Sequence, residues 1–256
     1  MPAATEMLAE KFRLNGLERL KEKGFQVEFH SHAKAILNID YPDVLEEIEQ
    51  VLLELEIPIL SLIKGGGGEH ETTQGLRRTL AELGWRKHNF QIRKFIDNVE
   101  RESISHEVDH VRSFNGGKVA MEIEWNNKDP FFDRDLENFK RLHAEAAISV
   151  GIILTRGTTL QDNIKEAVLR FARSRSVASY DDLSDYVTPT PRQRAQVTRR
   201  RQKTSDFAEA WAAAFCADKF GQATTHWRKL EDRVHRGVGN PCPLLLIGIP
   251  DSVIAF

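Results

Sequence analysis

The sequence predicts an α/β protein in which helices flank a central mixed β-sheet. A strand predicted at about 118–125, a helix at about 133–147 and a strand at about 149–155 follow one another directly. This succession is typical of a crossover between two strands of one sheet. A β-meander is predicted just before it. We therefore expect parallel and antiparallel strands in the same sheet.

The N-terminal part of the chain predicts helices around short apolar strands. Apolar spacing predicts a helix over 6–23 and a strand over 25–30. Another helix starts at Pro42, because proline fits the first turn of a helix and the apolar residues that follow keep a 3.6-residue period. Residues 57–63 are predicted to form a strand, and leucines near 76–83 indicate another short helix.

The middle of the chain predicts the β-meander, and the C-terminal part adds a helix and a strand. Strands are predicted at about 90–96 and 104–112, and the turn Phe114–Gly117 leads into the next strand. Further along, apolar spacing predicts a helix around Phe207–Phe215. Residues 243–249 then supply a final buried strand.

Length and composition fit one soluble domain, which we place over residues 1–256. The chain has 36 Lys plus Arg against 38 Asp plus Glu, which gives a net charge of −2. This charge is too balanced to assign a nucleic-acid partner from composition alone. The longest apolar stretches, 59–63 and 244–249, are too short to cross a bilayer, so no membrane partner is expected. Cys216 and Cys242 form no paired-cysteine motif, which favours a reducing, cytoplasmic location.

A basic arm lies at about 188–204 in this otherwise neutral protein. It contains no acid, and its cations are Arg192, Arg194, Arg199, Arg200, Arg201 and Lys203. In one interpretation the arginines contact DNA phosphates and raise affinity in a salt-dependent way. In the other, the arm is a solvated, disordered loop. The absence of acids favours the first, and we expect a mobile arm that orders on DNA.

Two carboxylates share one face of the strand predicted at about 118–125. Glu122 and Glu124 are one residue apart, and side chains alternate between the faces of a strand. If the preceding hairpin pairs in register, Asp109 comes near Glu122. Three converging carboxylates repel one another and need a counter-charge, which Mg²⁺ supplies through oxygen ligands.

Spacing alone favours a simpler interpretation, in which Glu122 and Glu124 occupy the solvated face of an edge strand. The residues that follow favour a ligand site instead. Amides, a cation and several acids lie at the carboxyl end of the same strand, in Trp125–Leu136. Open sheets commonly place their ligand sites at this end.

One long segment carries a resemblance to a known family. The run VAMEIEWNNKDPFFDRDLENFKRLH, with VDHV upstream and GIILTRG downstream, resembles the type II restriction endonucleases of the BglII and BamHI kind. These enzymes belong to the PD-(D/E)xK nuclease superfamily, and the resemblance extends over about 90–250. It implies a homodimer that cuts a palindromic site in double-stranded DNA with Mg²⁺ and leaves 5′-phosphate ends. A cognate DNA methyltransferase is expected in the same system without direct contact.

The resemblance also implies roles for the acids. Asp109 resembles the first metal-bridging acid and Glu122 the second, and the Ile123 carbonyl is expected to be a main-chain ligand. Glu124 stands where most of the superfamily has lysine, a departure that resembles the BamHI branch. Because glutamate cannot stabilise an anionic transition state as lysine does, we expect Glu124 to orient or deprotonate the attacking water.

The segment after this strand is the candidate for DNA reading. The resemblance places it in the major groove, where Asn127 can pair with adenine and Asp129 can accept from cytosine. Lys128 is expected to meet a phosphate, and Arg156 to bind guanine or phosphate. Asn127 has an equally good alternative in turn chemistry, since asparagine is common where strands end.

Two other functions stay open from the sequence. One is a structure-selective repair or recombination nuclease of the same superfamily, against which stands the resemblance of residues 118–143 to restriction enzymes. The other is a DNA-binding protein whose nuclease centre has decayed. That protein would tolerate loss of the acids, yet Asp109, Glu122 and Glu124 are all present.

Overall fold

The computed structural model describes residues 14–64 and 70–256. Six strands form the central sheet, and two short strands pair separately. The strands of the described residues are β1 (Gln26–His30), β2 (Ile57–Pro58), β3 (Arg86–Ile96), β4 (Val99–Phe114), β5 (Gly117–Glu124), β6 (Val150–Arg156), β7 (Leu244–Ile249) and β8 (Ile254–Ala255).

Helices cover both faces of the sheet. Those of the described residues are α1 (Glu18–Glu22), α2 (Ala33–Ile39), α3 (Pro42–Leu53), α4 (Ile59–Ile63), α5 (Glu71–Glu82), α6 (Phe131–Ala144), α7 (Thr158–Ser174), α8 (Pro191–Arg200), α9 (Phe207–Lys219) and α10 (Trp227–His235), with 3₁₀ turns at Asp181–Leu183 and Asp251–Val253. Within these ranges, no helix combines the length and apolar character that a membrane span requires.

The sheet is mixed, as predicted. Its strand order is β1-β7-β6-β5-β4-β3. The central strands β5, β6 and β7 run parallel, whereas β4 pairs antiparallel with both β3 and β5, and β1 pairs antiparallel with β7. The predicted crossover is confirmed, because α6 connects the parallel neighbours β5 and β6.

Two apolar clusters lie on opposite faces of this sheet. The larger packs α1–α5, α7 and α9 against one face, including Val119, Met121 and Ile123 of β5. The smaller packs α6 and α10 against the other face, including Ala120 of the same strand. The predicted alternation of β5 side chains is therefore confirmed. Glu122 belongs to the face that α6 covers.

Several elements differ from the predictions for identifiable reasons. Residues 57–63 give only the two-residue strand β2 before turning into α4, because a short apolar run fits a buried helix as well as a strand. The hairpin of β3 and β4 is longer than predicted, and its outer part is mostly exposed, so no apolar alternation marks it. Helices α2 and α7 were not predicted. Of the predicted helix over 6–23, residues 6–13 lie outside the described part.

Candidate active site

Strand β5 carries two buried carboxylates beneath the first turns of α6. Glu122 is 7% exposed and Glu124 is 3% exposed. Glu122 is also paired in register with Ile153 of β6, so the sheet continues on both sides of it. This excludes the solvated-edge interpretation, since β5 is an interior strand.

Asp109 of β4 lies near these two acids. The β4–β5 ladder pairs Val111 with Ala120 and ends at the pair His110–Met121, one residue before Asp109. Strand β4 is irregular there, because its register against β3 shifts between the pairs Arg86–Val111 and His88–Val108. Asp109 remains 57% exposed and lies 3.5 Å from Lys87 Nζ. Its charge nevertheless contributes to raising the pKa of Glu122.

A fourth carboxylate, Asp135, reaches the cluster from α6. It is 1% exposed, and its Oδ2 is buried without a hydrogen-bond partner in the structure. Its charge contributes to raising the pKa of Glu124. Arg134 donates from Nε to Asp135 Oδ1 at 2.8 Å, and its Nη2 lies 3.6 Å from Glu124 Oε1.

The electrostatics of this cluster favour protonated acids or an added cation. Burial, and then the charge of Asp135, raise the pKa of Glu122 well above its ordinary value. The same two causes raise the pKa of Glu124 to about 8. Burial also raises the pKa of Asp135, although Arg134 partly opposes this. At neutral pH these groups therefore cannot all ionise unless positive charge arrives.

The donor set fits a hard divalent cation. Carboxylate and carbonyl oxygens are the ligands that such ions take in proteins, and Asp135 Oδ2 is a buried acceptor with no partner. Among residues 14–64 and 70–256, however, no three Asp, Glu, His or Cys side chains are arranged to hold one ion. Asp109 pairs outward with Lys87, while Glu124 is engaged with its neighbours. The acids lie near one another without forming a ligand set.

The segment after β5 folds back on the site and on α10. Asn127 donates from Nδ2 to Glu124 Oε2 at 2.8 Å, so its amide orients an acid of the cluster. Asp129 lies 3.6 Å from Lys229 Nζ and 3.5 Å from Arg233 Nη2. Lys128 is exposed. Of the three predicted DNA contacts in this segment, two are thus already engaged within the protein.

Arg156 has a structural position in place of the predicted DNA contact. It is fully buried, and burial lowers its pKa to about 9. Its Nε donates to the Trp125 carbonyl, and its Nη2 donates to Thr224 Oγ1 and the Thr225 carbonyl at 2.6 Å. With its guanidinium used in this way, Arg156 ties the end of β5 to the loop before α10. It does not reach solvent, where DNA would lie.

The basic arm contains helix α8 at its centre. Thr190 and Gln193 make a capping box, in which each side chain accepts from the other's backbone N–H. Arg194 stacks over the Tyr180 ring, and Arg192 lies 3.2 Å from Asp218. Arg192 and Arg194 lie mainly toward solvent, as does Arg199.

Sequence reasoning missed Arg134 and Asp135, although one signal marks them. Phe132, Leu136 and Phe139 form the buried stripe of α6. Asp135 lies three residues after Phe132 and four before Phe139, which puts it in the same stripe. A charged residue inside a buried helical stripe next to two strand carboxylates predicts a site residue.

Comparison with known proteins identifies the family of this chain. A search of curated proteins finds no match. The profile of the family described as restriction endonuclease BglII/BglIII matches residues 25–249, which includes every strand of the central sheet and the acid cluster. The chain belongs to this family of restriction endonucleases, which are site-specific deoxyribonucleases.

Proposed function

We propose that this protein is a Mg²⁺-dependent restriction endonuclease that hydrolyses both strands of a palindromic DNA site and leaves 5′-phosphate ends. The observation that carries this is the gathering of the buried carboxylates Glu122, Glu124 and Asp135, with the charge of Asp109 near enough to act on Glu122. The mutual repulsion of these groups is relieved by a divalent cation. Family membership supplies the DNA substrate and the nuclease class.

In this proposal Asp109, Glu122 and the Ile123 carbonyl hold the cation. Such an ion, when bound, polarises a phosphoryl oxygen and lowers the pKa of a water molecule. Glu122 already lies at the meeting point of β4, β5 and α6. Asp109 is the accessible member of the set, so its move from Lys87 toward Glu122 would complete the ligands.

Glu124 is proposed to orient and deprotonate the attacking water. Asn127 fixes one of its oxygens at 2.8 Å, and a pKa near the working pH suits a general base. The water oxygen bonds to phosphorus as the bond to the 3′ oxygen breaks. The water proton passes to Glu124, and the leaving 3′ oxygen takes a proton from solvent. The products are a 5′-phosphate and a 3′-hydroxyl.

DNA is proposed to contact the protein through α8 and the segment after β5. Arg192, Arg194, Arg199 and Arg200 would meet phosphates and add salt-dependent affinity. Lys128, which is exposed beside the site, would do the same. Asn127 and Asp129 are proposed as base contacts. Asn127 would use its Oδ1 and its second Nδ2 hydrogen while the first stays on Glu124, and Asp129 would exchange its present cations for a base edge.

A palindromic site implies a two-fold symmetric reader. We propose a homodimer, since identical protomers present identical surfaces to the two half-sites. A DNA methyltransferase that protects the same site would belong to the same system and need not touch this protein.

Plasmid cleavage tests the proposal. With Mg²⁺ we expect discrete fragments whose ends carry 5′-phosphates, and with Ca²⁺ we expect binding without cutting. A smear of fragments would indicate a nonspecific nuclease. Binding without cutting under both ions would indicate a decayed centre. Either result would overturn the proposed function, and sequencing the fragment ends would give the recognition site.

A further inference from the structure

We propose that Arg134 is a further catalytic residue, which contacts the phosphate being cut. It supplies the positive charge that the site lacks because Glu124 stands in place of a lysine. This inference rests on the proposed phosphodiester cleavage. It concerns a residue of α6, outside the three acids and the DNA-reading segment that the sequence indicated.

Position is the first argument. Arg134 Nη2 lies 3.6 Å from Glu124 Oε1, the acid proposed to activate water. A phosphate attacked by a water held on Glu124 must lie close to that carboxylate. The guanidinium is therefore within reach of the oxygens of that phosphate without a change in the backbone.

Orientation is the second argument. Asp135 Oδ1 accepts from Nε at 2.8 Å and lies 2.8 Å from Nη2, so one buried carboxylate oxygen holds one edge of the guanidinium. The Phe131 ring lies 4.3 Å below the guanidinium carbon. An arginine anchored on one edge and one face needs little ordering to accept a ligand on the remaining edge.

Available donors are the third argument. The Arg134 side chain is 53% exposed although its anchor is buried. Its Nη1 has no acceptor among the described residues. Planar guanidinium groups bind phosphate oxygens through such paired N–H donors, and stabilise charge that develops on them. Arg134 keeps its proton throughout, so it acts by hydrogen bonding and charge alone.

The charge balance of the site is the fourth argument. Four carboxylates lie near one another at this site, and among the described residues Arg134 is the cation that contacts two of them, Glu124 and Asp135, directly. Lys87 pairs with Asp109 at the exposed side, together with Glu107. If a divalent ion neutralises the acids, the charge of Arg134 becomes free to act on an incoming phosphate.

Three measurements on Arg134→Ala and Arg134→Lys test this inference. They use a DNA duplex that contains the recognition site found by sequencing the fragment ends. The measurements are the single-turnover cleavage rate of this duplex with Mg²⁺, its Kd with Ca²⁺, and Mn²⁺ binding to the DNA-free protein by calorimetry. Lys140→Ala is the matched control, since Lys140 is a cation of the same helix that pairs with exposed Glu137 at 3.2 Å.

For Arg134→Ala we expect a rate about 100-fold lower, the usual loss when one donor to a developing oxyanion is removed. Duplex affinity should change by less than about tenfold, because the contact acts mainly in the transition state. Mn²⁺ affinity should stay the same or rise, since a cation beside the ligands opposes metal binding. Added guanidinium should restore part of the rate, Arg134→Lys should cut at an intermediate rate, and Lys140→Ala should cut like the parent.

An Arg134→Ala protein that cuts as fast as the parent would overturn the inference. Parallel losses of cutting, duplex affinity and Mn²⁺ affinity would also overturn it, because they indicate a structural role. If Arg134→Ala does not fold, the cleavage rates of Arg134→Lys and Lys140→Ala are compared. A slower rate for Arg134→Lys supports the inference, and equal rates overturn it. A parent protein that cuts no DNA would instead refute the proposed function and this inference with it, so the two failures are distinguishable.

Discussion

Neutralising Glu124 is predicted to stabilise the metal-free protein while abolishing cleavage. Burial and the charge of Asp135 raise the pKa of Glu124 from 4.5 to about 8. The folded protein therefore holds a proton that the unfolded chain has released between these two values, and its stability falls as pH rises through this window. Above about pH 8 the penalty for the ionised group is complete. Glu124→Gln removes this penalty.

The size of the effect follows from the same pKa. Each pH unit of the window corresponds to about 1.4 kcal/mol, so the largest possible penalty is about 5 kcal/mol. Because Asp135 is coupled to Glu124 and carries part of the same penalty, the gain falls below this limit. We expect the free energy of unfolding of Glu124→Gln to exceed that of the parent by about 2–4 kcal/mol at about pH 8.5. The glutamine oxygen can still accept from Asn127, which limits other losses.

Urea unfolding in EDTA measures this gain. The difference between Glu124→Gln and the parent should be largest at about pH 8.5 and nearly vanish at about pH 3.5, where both unfolded and folded Glu124 carry the proton. Glu137→Gln is the control, because Glu137 is an exposed acid of the same helix. A Glu124→Gln protein that is no more stable than the parent, or a gain that does not depend on pH, would refute the reasoning.

Three further predictions follow from the site and its surroundings. Added Ca²⁺ should raise the Tm of the metal-free protein more at about pH 8 than at about pH 5, because it competes with protons for carboxyl groups whose pKa is raised. Differential scanning fluorimetry measures this, and an equal Tm shift at both pH values would contradict it. Replacing Arg199–Arg201 with alanine should weaken binding to all duplexes and flatten the salt dependence, and an unchanged slope in fluorescence anisotropy would favour α8 lying away from DNA. Arg233→Ala should cost about 1–2 kcal/mol, because it removes the partner of half-exposed Asp133 and one of the two cations beside Asp129. A cost near zero in urea unfolding would show that α10 is held by its apolar face alone.

Local sequence patterns predicted the helices and strands that have one apolar and one polar face. The helix at Pro42–Leu53 and the alternation along β5 were predictable because one side of each meets an apolar cluster. The outer hairpin was harder, since β3 has an almost fully exposed pattern and no apolar side to mark it. Residues 57–63 were ambiguous because a short, wholly apolar run fits either type of element.

The site residues on strand β5 were predictable from the sequence, whereas those on helix α6, which covers the strand, were missed. The spacing of Glu122 and Glu124 gives a shared face directly. The turn at Phe114–Gly117 gives the pairing of β4 with β5 as far as His110, and the irregularity of β4 that follows has no signal in the local sequence. Arg156 showed why spacing fails further away. Nothing in its local sequence indicates that a loop distant in the chain supplies acceptors for its guanidinium, yet these acceptors decide that it is buried.

The most direct test of the account compares cutting and binding by Glu122→Ala. We expect a duplex affinity with Ca²⁺ close to that of the parent and no detectable cleavage with Mg²⁺, while Glu137→Ala cuts normally. Cleavage by Glu122→Ala at the parent rate would contradict the claim that the carboxylates of β5 hold the cation that hydrolysis requires.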